Sequence, residues 1–77
     1  MIFNIVAPNV KIVKNSCFSS WHSLRYVCFP KLEVVEEEGF YNCSALHTLV
    51  GDSLKIIGNK AFAYCYCLTN VNLVNVE

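Results

Sequence analysis

Leu24, Leu46 and Leu68 stand twenty-two residues apart, and the same step back from Leu24 reaches Ile2. A unit of that length cannot bury its own apolar side, so a fixed interval of this kind demands that successive units lie over one another and share one core. Numbering the places of each unit from Ile2 makes the repeat explicit. Place four holds Ile5, Val27, Leu49 and Val71; place nine holds Val10, Leu32, Leu54 and Val76; place twelve holds Val13, Val35 and Ile57. Place seventeen is Phe18, Phe40 and Phe62, so three of the five phenylalanines share one place. Small residues, Cys17, Gly39 and Ala61, occupy place sixteen, and Trp21, Cys43 and Cys65 occupy place twenty. No insertion or deletion interrupts the series from Ile2 to Val76.

The 77 residues therefore read as a single domain, 1–77, of repeat units 2–23, 24–45 and 46–67 with a partial unit 68–77, about three and a half units in all. Within a unit, Leu24, Val27 and Phe29 mark a short strand, with Val27 and Phe29 facing inward by alternation. Pro30 ends it, as Pro8 does one unit earlier. The β-branched stretch Leu32 to Val35 predicts a second short strand. Glu37 to Ala45 has room for one turn of helix that carries Phe40 into the core. Equivalent strands of successive units are expected to pair in parallel at about 4.8 Å.

Charge follows the same interval. Place ten reads Lys11, Glu33, Lys55, Glu77, alternating in sign, while Lys14 faces Glu36 at place thirteen and Glu38 faces Lys60 at place fifteen. Opposite charges on neighbouring strands contribute about 0.2–1 kcal/mol each, so ion pairs along the rim are expected. The acidic run Glu36 to Glu38 is then a solvated edge rather than a metal or binding site.

Composition removes several classes of function. Hydrophobic residues make up 55% and charged residues 16%, which is incompatible with a disordered chain. A formal charge of zero leaves no positive field for a phosphate backbone, so nucleic acid is not an expected partner. Polar residues break every apolar stretch well short of the roughly 18–20 residues of a spanning helix, so no membrane insertion is expected. Met1 to Pro8 is apolar but lacks the length, basic leader and cleavage site of a secretory signal, and the chain as written reads as cytoplasmic.

Five cysteines, Cys17, Cys28, Cys43, Cys65 and Cys67, form an odd set and are expected as reduced, buried thiols. With His22 and His47 they invite a zinc reading, but Cys43 and Cys65 share an inward place while the histidines fall at outward ones, so the ligands do not converge. Asn42-Cys43-Ser44 fits a glycosylation sequon, which has meaning only in the secretory pathway. No cofactor is called for, and neither histidine sits in a catalytic motif, so no enzyme activity is expected.

The outward face of the first strand is the candidate binding surface. Places two and three present Phe3, Arg25, His47 and Thr69, then Asn4, Tyr26, Thr48 and Asn70, types that vary where the scaffold places do not. Tyr and Arg are enriched at binding hot spots, which singles out Arg25 and Tyr26, with His47 and Thr48 beside them. Ile12, Val34 and Ile56 form a further apolar ladder at place eleven, expected to be exposed.

The pattern resembles the BspA type of leucine-rich repeat. Leu46, Leu49, Leu54, Ile57-Gly58, Ala61-Phe62 and Cys65 carry the likeness in the third unit; Leu24, Val27, Phe29-Pro30, Gly39-Phe40 and Cys43 carry it in the second. Trp21 stands where the family has Cys, and Gly51-Asp52 replaces the apolar residue and proline. The resemblance implies a leucine-rich-repeat solenoid of short parallel strands joined by turns or short helical segments. It also implies a non-catalytic protein-interaction or cell-adhesion module whose partner is another protein, such as a surface or matrix protein. Family members are generally surface or secreted proteins and usually longer, which points to the cell surface if the chain is part of such a protein. The alternative is a structural segment of a longer repeat protein with no activity of its own, its uncapped ends prone to self-association.

Overall fold

A computed structural model describes residues 2–76. Among them run seven strands: β1 (Phe3–Val6), β2 (Ile12–Val13), β3 (Leu24–Cys28), β4 (Val34–Val35), β5 (Thr48–Val50), β6 (Ile56–Ile57) and β7 (Asn70–Val71). They form two parallel sheets, β1-β3-β5-β7 and β2-β4-β6, one strand per coil in each. The chain is thus a parallel β-solenoid of about three turns, as the twenty-two-residue interval requires.

Register follows the interval place by place. Ile5 pairs Val27, which pairs Leu49, which pairs Val71; Val13 pairs Val35, which pairs Ile57. At the start of β1 the pairing slips, so Phe3 lies opposite Leu24 rather than Arg25. The core is deepest in the coils that are covered on both sides. Leu24, Val27, Phe29, Leu32, Val35, Phe40 and Cys43 of the second unit are all buried, while Ile5, Val10 and Phe18 below and Ile57, Phe62 and Val71 above pack against them partly exposed. The three place-seventeen rings stack face to face, Phe18 on Phe40 at 5.2 Å and Phe40 on Phe62 at 5.4 Å.

The expected helical turn is not there. Segments 15–20, 37–42 and 59–64 are runs of turns, and among the described residues no helix forms. The cause is a left-handed residue at places fifteen and nineteen of every unit: Ser16 and Ser20, Glu38 and Asn42, Lys60 and Tyr64, with φ between 55° and 62°. Each such residue costs about 1–2 kcal/mol against the right-handed conformation. What offsets that cost is a third hydrogen-bonded ladder between coils. Ser16, Phe18 and Ser20 donate their N–H groups to the carbonyls of Glu37, Gly39 and Tyr41, and Glu38, Phe40 and Asn42 donate to those of Asn59, Ala61 and Ala63. A helix would turn these donors back along its own axis and leave the coils unlinked on this side.

The rim charges also differ from expectation. Place ten does stack, since Glu33 N donates to Lys11 O and Lys55 N to Glu33 O, while Glu77 lies outside the described residues. The carboxylates facing the turns, however, take neutral donors from the coil below: Asn15 N reaches Glu36 Oε1 at 3.2 Å and Ser16 Oγ reaches Glu38 Oε1 at 3.5 Å. An exposed lysine gains so little from pairing that its chain entropy keeps it in water.

Cysteine burial is uneven as well. Cys43 is buried and Cys28 and Cys65 are half-buried, but Cys17 and Cys67 are exposed. Trp21, at the place of Cys43 and Cys65, is 45% exposed and leans edge-on against Phe18 at 5.3 Å. No helix among the described residues is long and apolar enough to cross a membrane.

Candidate functional site

In β3 the inward residues are Leu24 and Val27, and the two residues between them turn outward together. Leu46 and Leu49 do the same one coil higher. Arg25, Tyr26, His47 and Thr48 therefore form a two-by-two block on the outer face of the first sheet. Tyr26 pairs directly with Thr48, and His47 N donates to Arg25 O at 2.8 Å. Arg25 is exposed, and Tyr26, His47 and Thr48 are half-buried.

The histidine is held on both nitrogens. His47 Nδ1 lies 2.9 Å from Thr48 Oγ1 and Nε2 lies 3.2 Å from Thr69 Oγ1. Asn70 Nδ2 donates to Thr48 Oγ1 at 3.3 Å, so the network continues into the next coil. A hydroxyl has one proton and two lone pairs. Thr48 can accept from Asn70 and donate to Nδ1, leaving the Nε2 proton for Thr69. The imidazole of His47 and the hydroxyl of Thr48 are thereby fixed by hydrogen bonds.

Three further surfaces escaped the sequence reading in whole or part. Thr48, Gly51, Asp52, Thr69, Asn70 and Asn72, with Leu49, Val50 and Val71, line a shallow hollow of about 330 Å³ beside the block. Phe3, Ile5, Trp21, His22, Ser23 and Leu24 line an apolar hollow of about 530 Å³ against the first coil. Tyr41, Tyr64 and Tyr66 cluster on the turn side, Tyr64 edge-on to Tyr41 at 5.4 Å and 6.0 Å from Tyr66. Three of the four tyrosines lie there, but at three different places of the repeat, so the interval does not reveal them. The place-eleven ladder is exposed at Ile12 (45%) and Ile56 (55%), while Val34 between them is half-buried.

The thiols of the place-twenty ladder are spent on structure. Cys43 Sγ donates to Phe18 O at 2.9 Å and Cys65 Sγ to Phe40 O at 3.1 Å. Burial pushes the Cys43 thiol up to about 11, and burial raises that of Cys65 in the same way. A thiol protonated through the physiological range is a poor nucleophile and a poor metal ligand.

Comparison with protein families gives a match over residues 2–77 to the model described as BspA type leucine rich repeat region (6 copies). Comparison with curated proteins and with solved structures gave no match.

Proposed function

Since the chain belongs to the BspA type of leucine-rich repeat proteins, we propose that it is a protein-binding or adhesion module that recognises its partner through the outer face of the first sheet. Repeats of this family suggest an interaction or adhesion-type module, and the solenoid fold is typically non-catalytic. The observation that carries the finer reading is the block Arg25, Tyr26, His47 and Thr48. It sets a cation, an aromatic ring and a doubly anchored imidazole side by side on paired strands that cannot move independently. Tyrosine and arginine are enriched at hot spots, and a backbone already held in paired strands loses little conformational entropy on binding. The partner class that suits it is the surface or matrix protein that the family suggests.

The test is adhesion of the native chain to an immobilised extracellular-matrix preparation, against a double variant, Arg25→Ala with Tyr26→Ala. Both side chains point outward, so the variant should melt within a few degrees of the native chain. Binding that falls at least about 10-fold in the variant supports the face, since hot-spot truncations cost about 2 kcal/mol or more. Equal adhesion of the two chains removes it.

A further inference from the structure

The third coil departs from the two below it at places six and seven, where Gly51 and Asp52 follow Phe29-Pro30 and Ala7-Pro8. That departure shapes the surface. A methyl group on Gly51 would stand 2.6 Å from Phe29 O, so only glycine lets this coil's backbone settle onto the carbonyl below. Asp52 then stands at the rim of the 330 Å³ hollow, in the place where the lower coils carry a proline that has no donor and no charge.

The polar groups around the hollow are held in place by one another. Asn72 Nδ2 donates to Asp52 Oδ1 at 3.0 Å, and Asn72 Oδ1 in turn accepts from Val74 N at 3.0 Å. Asn70 is tied to Thr48, and Thr69 to His47. Each of these bonds uses only part of a group's capacity. The other carboxylate oxygen of Asp52, the carbonyl oxygen of Asn70, the second amide protons of Asn70 and Asn72 and a lone pair of Thr69 are left for a ligand. The hollow thus offers both donors and acceptors, and its lining carries one negative charge. Val50 and Val71 add an apolar strip to the same hollow, and Tyr26 lies one strand below Thr48.

We propose that this hollow is a sugar-binding site that takes a neutral mono- or disaccharide. Adjacent ring hydroxyls can donate to one carboxylate oxygen and accept from the neighbouring amide, and the C–H side of the ring lies on the valine strip. The volume is near the lower end of the roughly 300–1,000 Å³ range of ligand sites, which fits a ligand of that size. An anionic ligand meets the Asp52 carboxylate. A protein partner fits less well, because its anchors need a deep, desolvated pocket, whereas Asp52, Thr69 and Asn70 are open to solvent. The site lies beside the Arg25 and Tyr26 pair and does not depend on it.

The experiment is an amide-shift titration of the isotope-labelled native chain with methyl α-mannoside, methyl β-galactoside and N-acetylglucosamine, each in turn, and with a neutral capped Gly-Ser-Gly peptide. The expected result is saturable shifts at Thr48, Gly51, Asp52, Asn70 and Asn72 with at least one sugar, at a dissociation constant of about 1–10 mM. Asp52→Asn and Asn72→Ala, each with an unchanged pattern elsewhere in the spectrum, should weaken that binding at least about 10-fold, as loss of a hydrogen bond to a charged group does. No saturable shift with any of the three sugars overturns the proposal. So does a shift of the same amides by the peptide alone, or sugar binding that both variants leave intact.

Discussion

The ring of Phe40 lies parallel to that of Phe62 within 5°, with centroids 5.4 Å apart. They are twenty-two residues apart in the chain and neighbours in space. Phe40 is also covered from below by Phe18 and is fully buried, whereas Phe62 is half-buried. Phe40→Ala should cost about 3–5 kcal/mol, comparable with the whole stability of so small a domain, and Phe62→Ala should cost less. Urea unfolding of both variants checks this. Equal losses would mean that the stack does not carry the core.

Gly39 and Gly58 separate two kinds of crowding. A methyl on Gly39 would meet chiefly side chains, Val35 Cγ1 at 2.6 Å and Val13 Cγ1 at 3.0 Å, with the Glu36 carbonyl oxygen next at 3.2 Å, and the valines can give only by a small repacking of the core. One on Gly58 would meet Glu37 N at 2.6 Å and Glu36 C at 2.7 Å, and the backbone of a neighbouring coil cannot. Gly39→Ala should destabilise by about 1–3 kcal/mol, the range for overpacking. Gly58→Ala should do more, abolishing the thermal transition or lowering it further than Gly39→Ala does.

Thiol chemistry should follow burial. Cys17 and Cys67 are exposed and should react with a maleimide at pH 7.5 in the native chain, while Cys43 should react only after denaturation. Mass spectrometry of the labelled peptides reads this directly. Labelling of Cys43 at the rate of Cys17 would contradict its placement.

The same thiol should leave a mark on alkaline stability. Burial, the larger influence, raises Cys43 from 9.0 to about 11, with a backbone hydrogen bond from Trp21 pulling the other way. The folded chain thus holds this proton more tightly than the unfolded chain. Its contribution to stability is complete below about pH 9 and is lost as pH rises through about 11. The native melting temperature should fall more steeply across that window than that of Cys43→Ala. Parallel curves for the two chains would show that the thiol is not buried.

Much of the solenoid was legible because an interval needs no knowledge of local conformation. Val13, Val35 and Ile57 had to lie over one another whatever the chain did between them, and they do. The turn side was misread because apolar spacing around Phe40 suits one turn of helix equally well. What decides otherwise is backbone handedness at Glu38 and Asn42, and glutamate gives no local sign of a positive φ. The two-by-two block was found from residue type, but the hollow beside it was not. Gly51 read only as a departure from pattern, and its effect depends on how near Phe29 O it comes. The tyrosine cluster obeys no single place and so left no periodic trace.

The third ladder, on the turn side, is made wholly of main-chain groups, and its left-handed positions accept serine, glutamate, asparagine, lysine and tyrosine alike. Several side chains unbranched at Cβ are therefore compatible with closure of the coil at those corners. Length has no such latitude: inserting one residue would slide every donor off its acceptor, whereas inserting a complete unit would restore each of them. A gene encoding such a chain can change its corner codons among residues that tolerate a positive φ and can grow by duplicating whole units, but a single-codon insertion inside a coil breaks the frame that holds it together.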